Sequence, residues 1–301
     1  MKKFLRSLLK SKTTLLLMSF FSLSTFIQAQ TTNNLSNKEA ILLIAFGSSE
    51  KSNAKKAYDN IEQNIKKQFP NHQLYWAYTS KFIREKYAKQ NIRKYSITEA
   101  LEVINNAGYK KITAQSLHVT NGAEYNEMLN ELAIFKSKNS DFIINVGLPL
   151  LVSKNDLQLF STAMLENLKQ ANIKKDSSVI FIGHGNHHGI GDMTFIALEN
   201  YLQKINSNYF VTLVEGIQGF EETVNKAKIQ NIKSTYLVPL LLTCGVHVKE
   251  DVVGEEAGSL QNLLEAKKII SHPILKGLGE YDNIVDIFAE HIKAAQPLKL
   301  K

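Results

Sequence analysis

The run Ile41-Leu-Leu-Ile-Ala-Phe46 is apolar at every position and stops abruptly at Gly47-Ser-Ser49. A strand that shows one face to water alternates apolar and polar residues. A strand without alternation is buried on both faces, as in a parallel sheet covered by helices. A second run of the same kind, Val179-Ile-Phe-Ile182, breaks at Gly183 and leads into His184-Gly185-Asn186-His187-His188. Glycine on each side of a histidine lets the backbone leave the sheet sharply. It holds the imidazole at the strand's carboxyl end, where open α/β sheets place their ligands.

The rest of the chain alternates in the same way. A helix is predicted from Ala54 to Gln68, with Ala57, Ile61 and Ile65 on one face and Pro70 beyond its end. Strands at Leu74 to Thr79, Lys111 to Val119 and Phe142 to Val152 are separated by helices at Thr98 to Asn106 and Glu124 to Lys136. After a helix from Asp156 to Gln170 the plan repeats. Strands start at Val179, Tyr209, Ser234 and Ile269, the third reaching Thr243, and a last helix runs from Ile284 to Ala294. Such alternation predicts an α/β protein with parallel sheets. The halves also align in detail, Phe46 falling opposite His184 and Glu124 opposite His247. The expected architecture is therefore two similar lobes, 40–154 and 155–301, facing across a cleft, with most chemical groups on the second.

The amino-terminal segment is set apart from this fold. Lys2, Lys3, Arg6, Lys10 and Lys12 precede a largely apolar stretch from Leu15 to Ile27, and Ala29 offers a small residue for cleavage. Residues 1–29 read as a signal peptide and 30–39 as a polar linker. The apolar stretch is short of the roughly 20 residues that span a bilayer, so cleavage is favoured over a retained anchor. No cysteine follows it, which argues against a bacterial lipoprotein. The expected location is periplasmic or otherwise exported, with membrane contact only through this segment. Of the formal net charge of +8, five cations lie in the segment, leaving +3 for the mature chain and little case for nucleic acid. Cys244 is the only cysteine, so no intrachain disulfide can form.

Three polar residues follow successive strands of the second half: His184, Glu215 in Leu213-Val-Glu-Gly216, and His247 in Thr243-Cys-Gly-Val-His247. In a parallel sheet these positions share one edge. Two imidazoles and a carboxylate converging there, with coordination positions left open, suit a divalent first-row metal such as Co²⁺, Fe²⁺, Ni²⁺ or Zn²⁺. The competing reading is that each residue caps its neighbouring helix. His187 and His188 read as outer ligands or, more simply, as a solvated pair, and His118 as a cleft residue or a satisfied core histidine. The acidic run Glu250, Asp251, Glu255 and Glu256 reads best as a solvated helix face, and Cys244 as buried rather than as a soft ligand. The sequence has no G-x-x-x-x-G-K-[ST] loop, G-x-S-x-G elbow or H-E-x-x-H signature, and Gly183-His-Gly-Asn-His-His188 misses the dinucleotide fingerprint.

These motifs in this order resemble anaerobic sirohydrochlorin cobaltochelatases of the CbiK type. The resemblance rests on Leu42-Leu-Ile-Ala-Phe-Gly-Ser48, Gly183-His-Gly185, Val214-Glu-Gly216, and above all Pro239-Leu-Leu-Leu-Thr-Cys-Gly-Val-His-Val-Lys-Glu-Asp251 followed by Gly254-Glu-Glu256. Gln115-Ser-Leu-His118, Gly122-Ala-Glu-Tyr125 and Lys276-Gly-Leu-Gly-Glu280 agree, so the similarity runs from Ala40 to the carboxyl terminus. It implies a class II chelatase of two Rossmann-like α/β lobes that inserts Co²⁺ into sirohydrochlorin without ATP, with Fe²⁺ and Ni²⁺ as other metals that fit. Metal-site roles fall on His184, Glu215 and His247, and Glu124 is similar to a family acid facing the same cleft. Cys244 stands where relatives often carry a small residue, and Asn186 replaces a common threonine. The export segment is the larger departure, because cobalamin synthesis is cytoplasmic.

Metal insertion requires M²⁺ to be stripped of water, held with open sites, and exchanged for two pyrrole N–H protons. His184 and His247 are expected to hold the metal, one of them accepting a proton, while Glu215 balances charge and ligates or relays. Phe46, Tyr78 and Phe82 are expected to pack on the macrocycle, and Lys51, Lys81 and Arg84 to meet its carboxylates. The expected partner is a tetrapyrrole; the oligomeric state, monomer or homo-oligomer, stays open. The second reading is an exported haem-, tetrapyrrole- or metal-binding protein on the same scaffold.

Overall fold

The computed structural model describes residues 38–186, 189 and 191–299. The signal-peptide reading, most of the linker and the pair His187 and His188 lie outside the described residues. The first half contains β1 (Glu39–Ala45), α1 (Lys51–Gln68), β2 (Gln73–Tyr78), α2 (Lys81–Ala88), α3 (Ile97–Asn106), β3 (Lys111–Ser116), α4 (Ala123–Lys138) and β4 (Ile143–Gly147). The second contains α5 (Lys154–Gln170), β5 (Ser178–Gly183), α6 (Asp192–Gln203), β6 (Tyr209–Leu213), α7 (Phe220–Ile229), β7 (Ser234–Pro239), α8 (Leu260–Ala266) and β8 (Ile270–Pro273). The chain ends with α9 (Asp282–Lys293) and β9 (Gln296–Pro297).

The strand order is β2-β1-β3-β4-β9 in one sheet and β6-β5-β7-β8 in the other. Apart from β9, each sheet is parallel and reads second, first, third, fourth. The two halves thus share one topology, as their sequences suggest. The two unbroken apolar runs become β1 and β5, each flanked by strands on both sides and buried from Ala40 to Ala45 and from Ser178 to Gly183. In both sheets the order reverses beside this central strand. Crossover helices then diverge to opposite faces, leaving a crevice beyond the strands' carboxyl ends.

Several strands stop earlier than their apolarity suggests. The third ends at Ser116 rather than Val119, the fourth at Gly147 rather than Val152, and β7 at Pro239 rather than Thr243. Residues past those ends are nevertheless buried: Leu117, Leu150, Leu151 and Leu240 all join one core cluster that includes side chains from both sheets. Their apolar character reports burial in loops between the halves, not extended conformation. The short helix α2 escapes the sequence reading because its surface is mostly charged; Ser80 caps it by accepting from the Ile83 N–H.

The carboxyl-terminal segment corrects the division at residue 155. Helix α9 packs against α1, α5, β3 and β4, and β9 pairs antiparallel with β4. Its apolar stripe, Ile284, Val285, Ile287, Phe288 and Ile292, enters the shared core beside Ile61, Ile65 and Phe160. The end of the chain therefore completes the first sheet rather than the second. Replacing the fully buried Phe288 with alanine is expected to cost about 3–5 kcal/mol. Because its cluster contains side chains from both sheets, guanidinium denaturation followed by circular dichroism should show one transition shifted as a whole.

Candidate metal centre

The parallel topology brings the loops after β5, β6 and β7 to one edge. His184 follows Gly183 directly at the end of β5, and His247 precedes a single π-helical turn, Val248–Val252, after β7. Their imidazoles meet edge to face, with ring centroids 4.5 Å apart and Nε2 facing Nε2 at 3.2 Å. The other ring nitrogens are both engaged by acceptors. His247 Nδ1 is 2.8 Å from Asp251 Oδ2, and His184 Nδ1 is 2.9 Å from the Gly185 carbonyl oxygen. A carbonyl or carboxylate oxygen only accepts, so each Nδ1 carries the hydrogen. In the neutral rings both Nε2 atoms are then bare acceptors, 3.2 Å apart.

Two acceptors at that distance need a cation between them. A proton can serve by converting one ring to imidazolium, and a divalent metal can serve by accepting both lone pairs. With metal–nitrogen bonds of about 2.1 Å, a 3.2 Å separation subtends roughly 100° at the metal, close to both tetrahedral and octahedral angles. The carboxylate behind His247 is the usual outer partner that orients a metal-binding imidazole.

Glu215 lies alongside His184 by main-chain pairing. The Val214 N–H donates to the Gly183 carbonyl at 3.0 Å and the Glu215 N–H to the His184 carbonyl at 2.8 Å, extending the β5–β6 ladder past the strands. Only glycine fits at position 185, where φ is +70° and a Cβ would stand 1.6 Å from the Glu215 carbonyl oxygen. Among the described residues no three His, Cys, Asp or Glu side chains are gathered into a ready metal cage. The structure brings together the two imidazoles and Asp251, and places Glu215 beside them through its backbone.

The first half closes on this edge through four contacts. Gly191, just before α6, rests against Thr120 and Gly122, two residues ahead of the half-buried Glu124. Gly245 lies against Ser48, and Asn53 Nδ2 donates to the Cys244 carbonyl at 3.1 Å. Lys249 Nζ pairs with Glu50 Oε2 at 2.8 Å. Phe46 stays 48% exposed at the carboxyl end of β1.

Residues 39–296 match the cobalt chelatase family CbiK. The chain belongs to that family. It is 29% identical over 258 residues to the sirohydrochlorin cobaltochelatase CbiKC of Nitratidesulfovibrio vulgaris, covering 86% of this chain and 90% of that one. It is 26% identical over 260 residues to the sirohydrochlorin cobaltochelatase of Salmonella typhimurium, covering 86% and 96%. The fold is similar to that of SirB from Bacillus subtilis with Fe³⁺, with a TM-score of 0.63 at 15% identity, covering 85% of this chain and 94% of that chain.

Not every residue expected to serve this chelatase's cleft is found there. Tyr78 is 5% exposed, and its hydroxyl accepts from Lys94 Nζ at 3.1 Å beside the rings of Tyr58 and Trp76. Arg84 donates to the Tyr78 and Thr79 carbonyls, tying down the end of β2, and Lys81 pairs with Glu85 on the surface of α2. Lys51 sits over the Tyr87 ring. Cys244 is buried, and burial pushes its thiol up. Sequence reasoning passed over Asp251 as a solvated acid, although His247 and Asp251 have the four-residue spacing that joins side chains across one helical turn. It also missed Asp192, 1% exposed, whose carboxylate accepts from the Ile217 N–H at 3.3 Å and lies against Gly216. Desolvation raises this carboxyl above the usual range.

His118 lies partly buried just past the end of β3. Ser116 Oγ stands 2.9 Å from its Nδ1, while Nε2 is buried with no partner among the described residues. Burial lowers it to about 4, so the unfolded chain binds a proton here more readily than the folded one. Stability is complete above the ordinary histidine range and falls as pH drops from about 6.5 towards 4, by up to about 3 kcal/mol. Denaturant midpoints measured near pH 7 and about pH 4.5 should differ less in His118→Gln than in the parent.

Proposed function

We propose that this chelatase inserts Co²⁺ into sirohydrochlorin without nucleotide, using His184 and His247 as the pair that presents the metal. The approach of the two Nε2 atoms to 3.2 Å carries the reading. Family membership supplies the reaction class, and this pair supplies a place for the ion. Two neutral donors bind the ion without cancelling its charge, which leaves it attractive to the macrocycle's nitrogens.

The reaction exchanges one M²⁺ for two pyrrole protons. As the metal passes to the macrocycle, the bare Nε2 pair is restored, and it is then suited to take one of those protons between its two lone pairs. The second proton is assigned to Glu215, whose loop is paired to that of His184. The pair thus serves first as ligand and then as base, and acid opposes both roles by filling the same position with a proton. Phe46, exposed at the mirror position of His184 on the first half, and Glu124, beside the Gly191 contact, are assigned to the macrocycle's side of the cleft.

The decisive assay mixes protein, sirohydrochlorin and Co²⁺ without ATP and follows absorbance against a protein-free control. Acceleration is expected, with His184→Ala and His247→Ala each losing at least about a hundredfold. Asp251→Asn should retain the fold and lose roughly 10–100-fold in Co²⁺ affinity, read by titration of the cobalt visible bands. Protein that merely bound the tetrapyrrole, with no rate to lose, would replace this reading with the binding-protein alternative.

We further propose that the chain is exported and loses residues 1–29. The support is the basic and then apolar composition of that segment. Intact mass of the protein recovered from the periplasm should correspond to a chain beginning at Gln30; an uncleaved amino terminus in the cytoplasm would overturn the assignment.

A further inference from the structure

A pocket of about 550 Å³ opens along the outer edge of the first sheet, and neither His184 nor His247 lines it. Strand β2 is the edge strand, so Trp76 and Tyr78 have no neighbouring strand beyond them. Tyr58 of α1 packs edge-on against both rings, and Tyr87 of α2 and Tyr95 also line the pocket. The volume and the aromatic walls suit a small organic ligand.

The charges are not evenly matched. Asp59 pairs with Lys55, and Glu62 with Lys66 while also accepting the Trp76 indole N–H at 3.0 Å. Arg93 pairs with Glu99 at 3.4 Å. Lys51 and Lys94, by contrast, have no carboxylate partner among the described residues. Lys94 Nζ lies 4.5 Å from the Tyr78 ring centroid and 5.2 Å from that of Tyr87, and Lys51 Nζ lies 5.9 Å from the same Tyr87 centroid. Two like charges gathered at one ring, one of them partly buried, lower their energy when an anion joins them. Burial already pulls the Lys94 ammonium below its usual range, and holds Tyr78 as a neutral phenol. The Tyr78 hydroxyl takes its hydrogen bond from Lys94, so its own O–H remains a donor for an incoming oxygen.

We propose that this pocket is a second ligand site, separate from the metal centre, that binds a planar aromatic carboxylate. The ring would lie among Tyr58, Trp76 and Tyr95, and the carboxylate would accept from Lys94, Lys51 and the Tyr78 hydroxyl. Cation–π contacts alone hold the two ammonium groups weakly; a carboxylate adds charge-assisted hydrogen bonds.

Trp76 is the only tryptophan in the chain, so its indole N–H gives a single reporter inside the pocket. The experiment titrates the ¹⁵N-labelled protein with 2-naphthoate and, separately, with the uncharged 2-naphthamide, following that resonance. A saturable shift is expected with naphthoate, with naphthamide weaker by about tenfold or more, as expected for loss of a charge-assisted contact. Lys94→Met should weaken naphthoate by a similar factor of about ten, leave naphthamide unchanged, and leave Co²⁺ insertion at the parent rate. Lys51→Met provides a second variant should Lys94→Met fail to give the parent spectrum. The proposal fails if the Trp76 resonance does not saturate, or if acid and amide bind equally. It also fails if the shift survives both lysine substitutions, or vanishes in His184→Ala, which would move the ligand to the cleft.

Discussion

The site depends on a conflict that the protein itself does not resolve. Two imidazoles are each locked, through Nδ1, to a group that can only accept a hydrogen bond, and their Nε2 atoms are then brought within 3.2 Å of each other. Water could satisfy one such nitrogen, but the close approach favours a single positive charge between them. Every feature around the pair maintains that arrangement. Strands β5 and β7 are hydrogen-bonded neighbours, so the loops that follow them emerge side by side, and the glycine at 185 lets the β6 loop close against the β5 loop.

Much of this was legible in the chain. Unbroken apolar runs ended by glycine gave parallel strands and their carboxyl-edge loops, and the correspondence of Phe46 with His184 anticipated two sheets of one topology. The two histidines stand out in sequence as polar residues directly after buried strands, and the pairing of β5 with β7 brings them together. Asp251 was harder: an acid within an acidic run looks like any solvated helix face, and only the proximity of His247 gives it a role. Tyr78 was singled out by its place at the end of a strand, and a strand end does not say whether the side chain there is open or buried, as Tyr78 is. The carboxyl terminus failed because periodicity predicts a helix and its apolar stripe without naming the sheet that stripe will cover.

The two halves share a topology but not a chemistry. Phe46 occupies on the first half the place His184 occupies on the second, so an exposed apolar ring stands where the repeat presents an imidazole. The division matches the two demands of the proposed reaction, a flat conjugated ligand on one side and a charged ion on the other. The contacts from Glu50 to Lys249, Asn53 to Cys244 and Gly191 to Gly122 join the halves close to these loops. The spacing of the two sets of loops is therefore set by short local contacts as well as by the distant core.

The return of α9 and β9 to the first sheet bears on how the polypeptide matures. Strand β4 gains its outer neighbour only from Gln296 and Pro297, and the shared core receives Phe288 just before them. During synthesis the amino-terminal half emerges first, with one sheet margin unpaired and part of its apolar interior uncovered. Exposed margins of this kind are prone to pair with other chains. The protein thus stays vulnerable until residues 282–297 have joined the first sheet, and loss of that segment would compromise the half of the molecule made first.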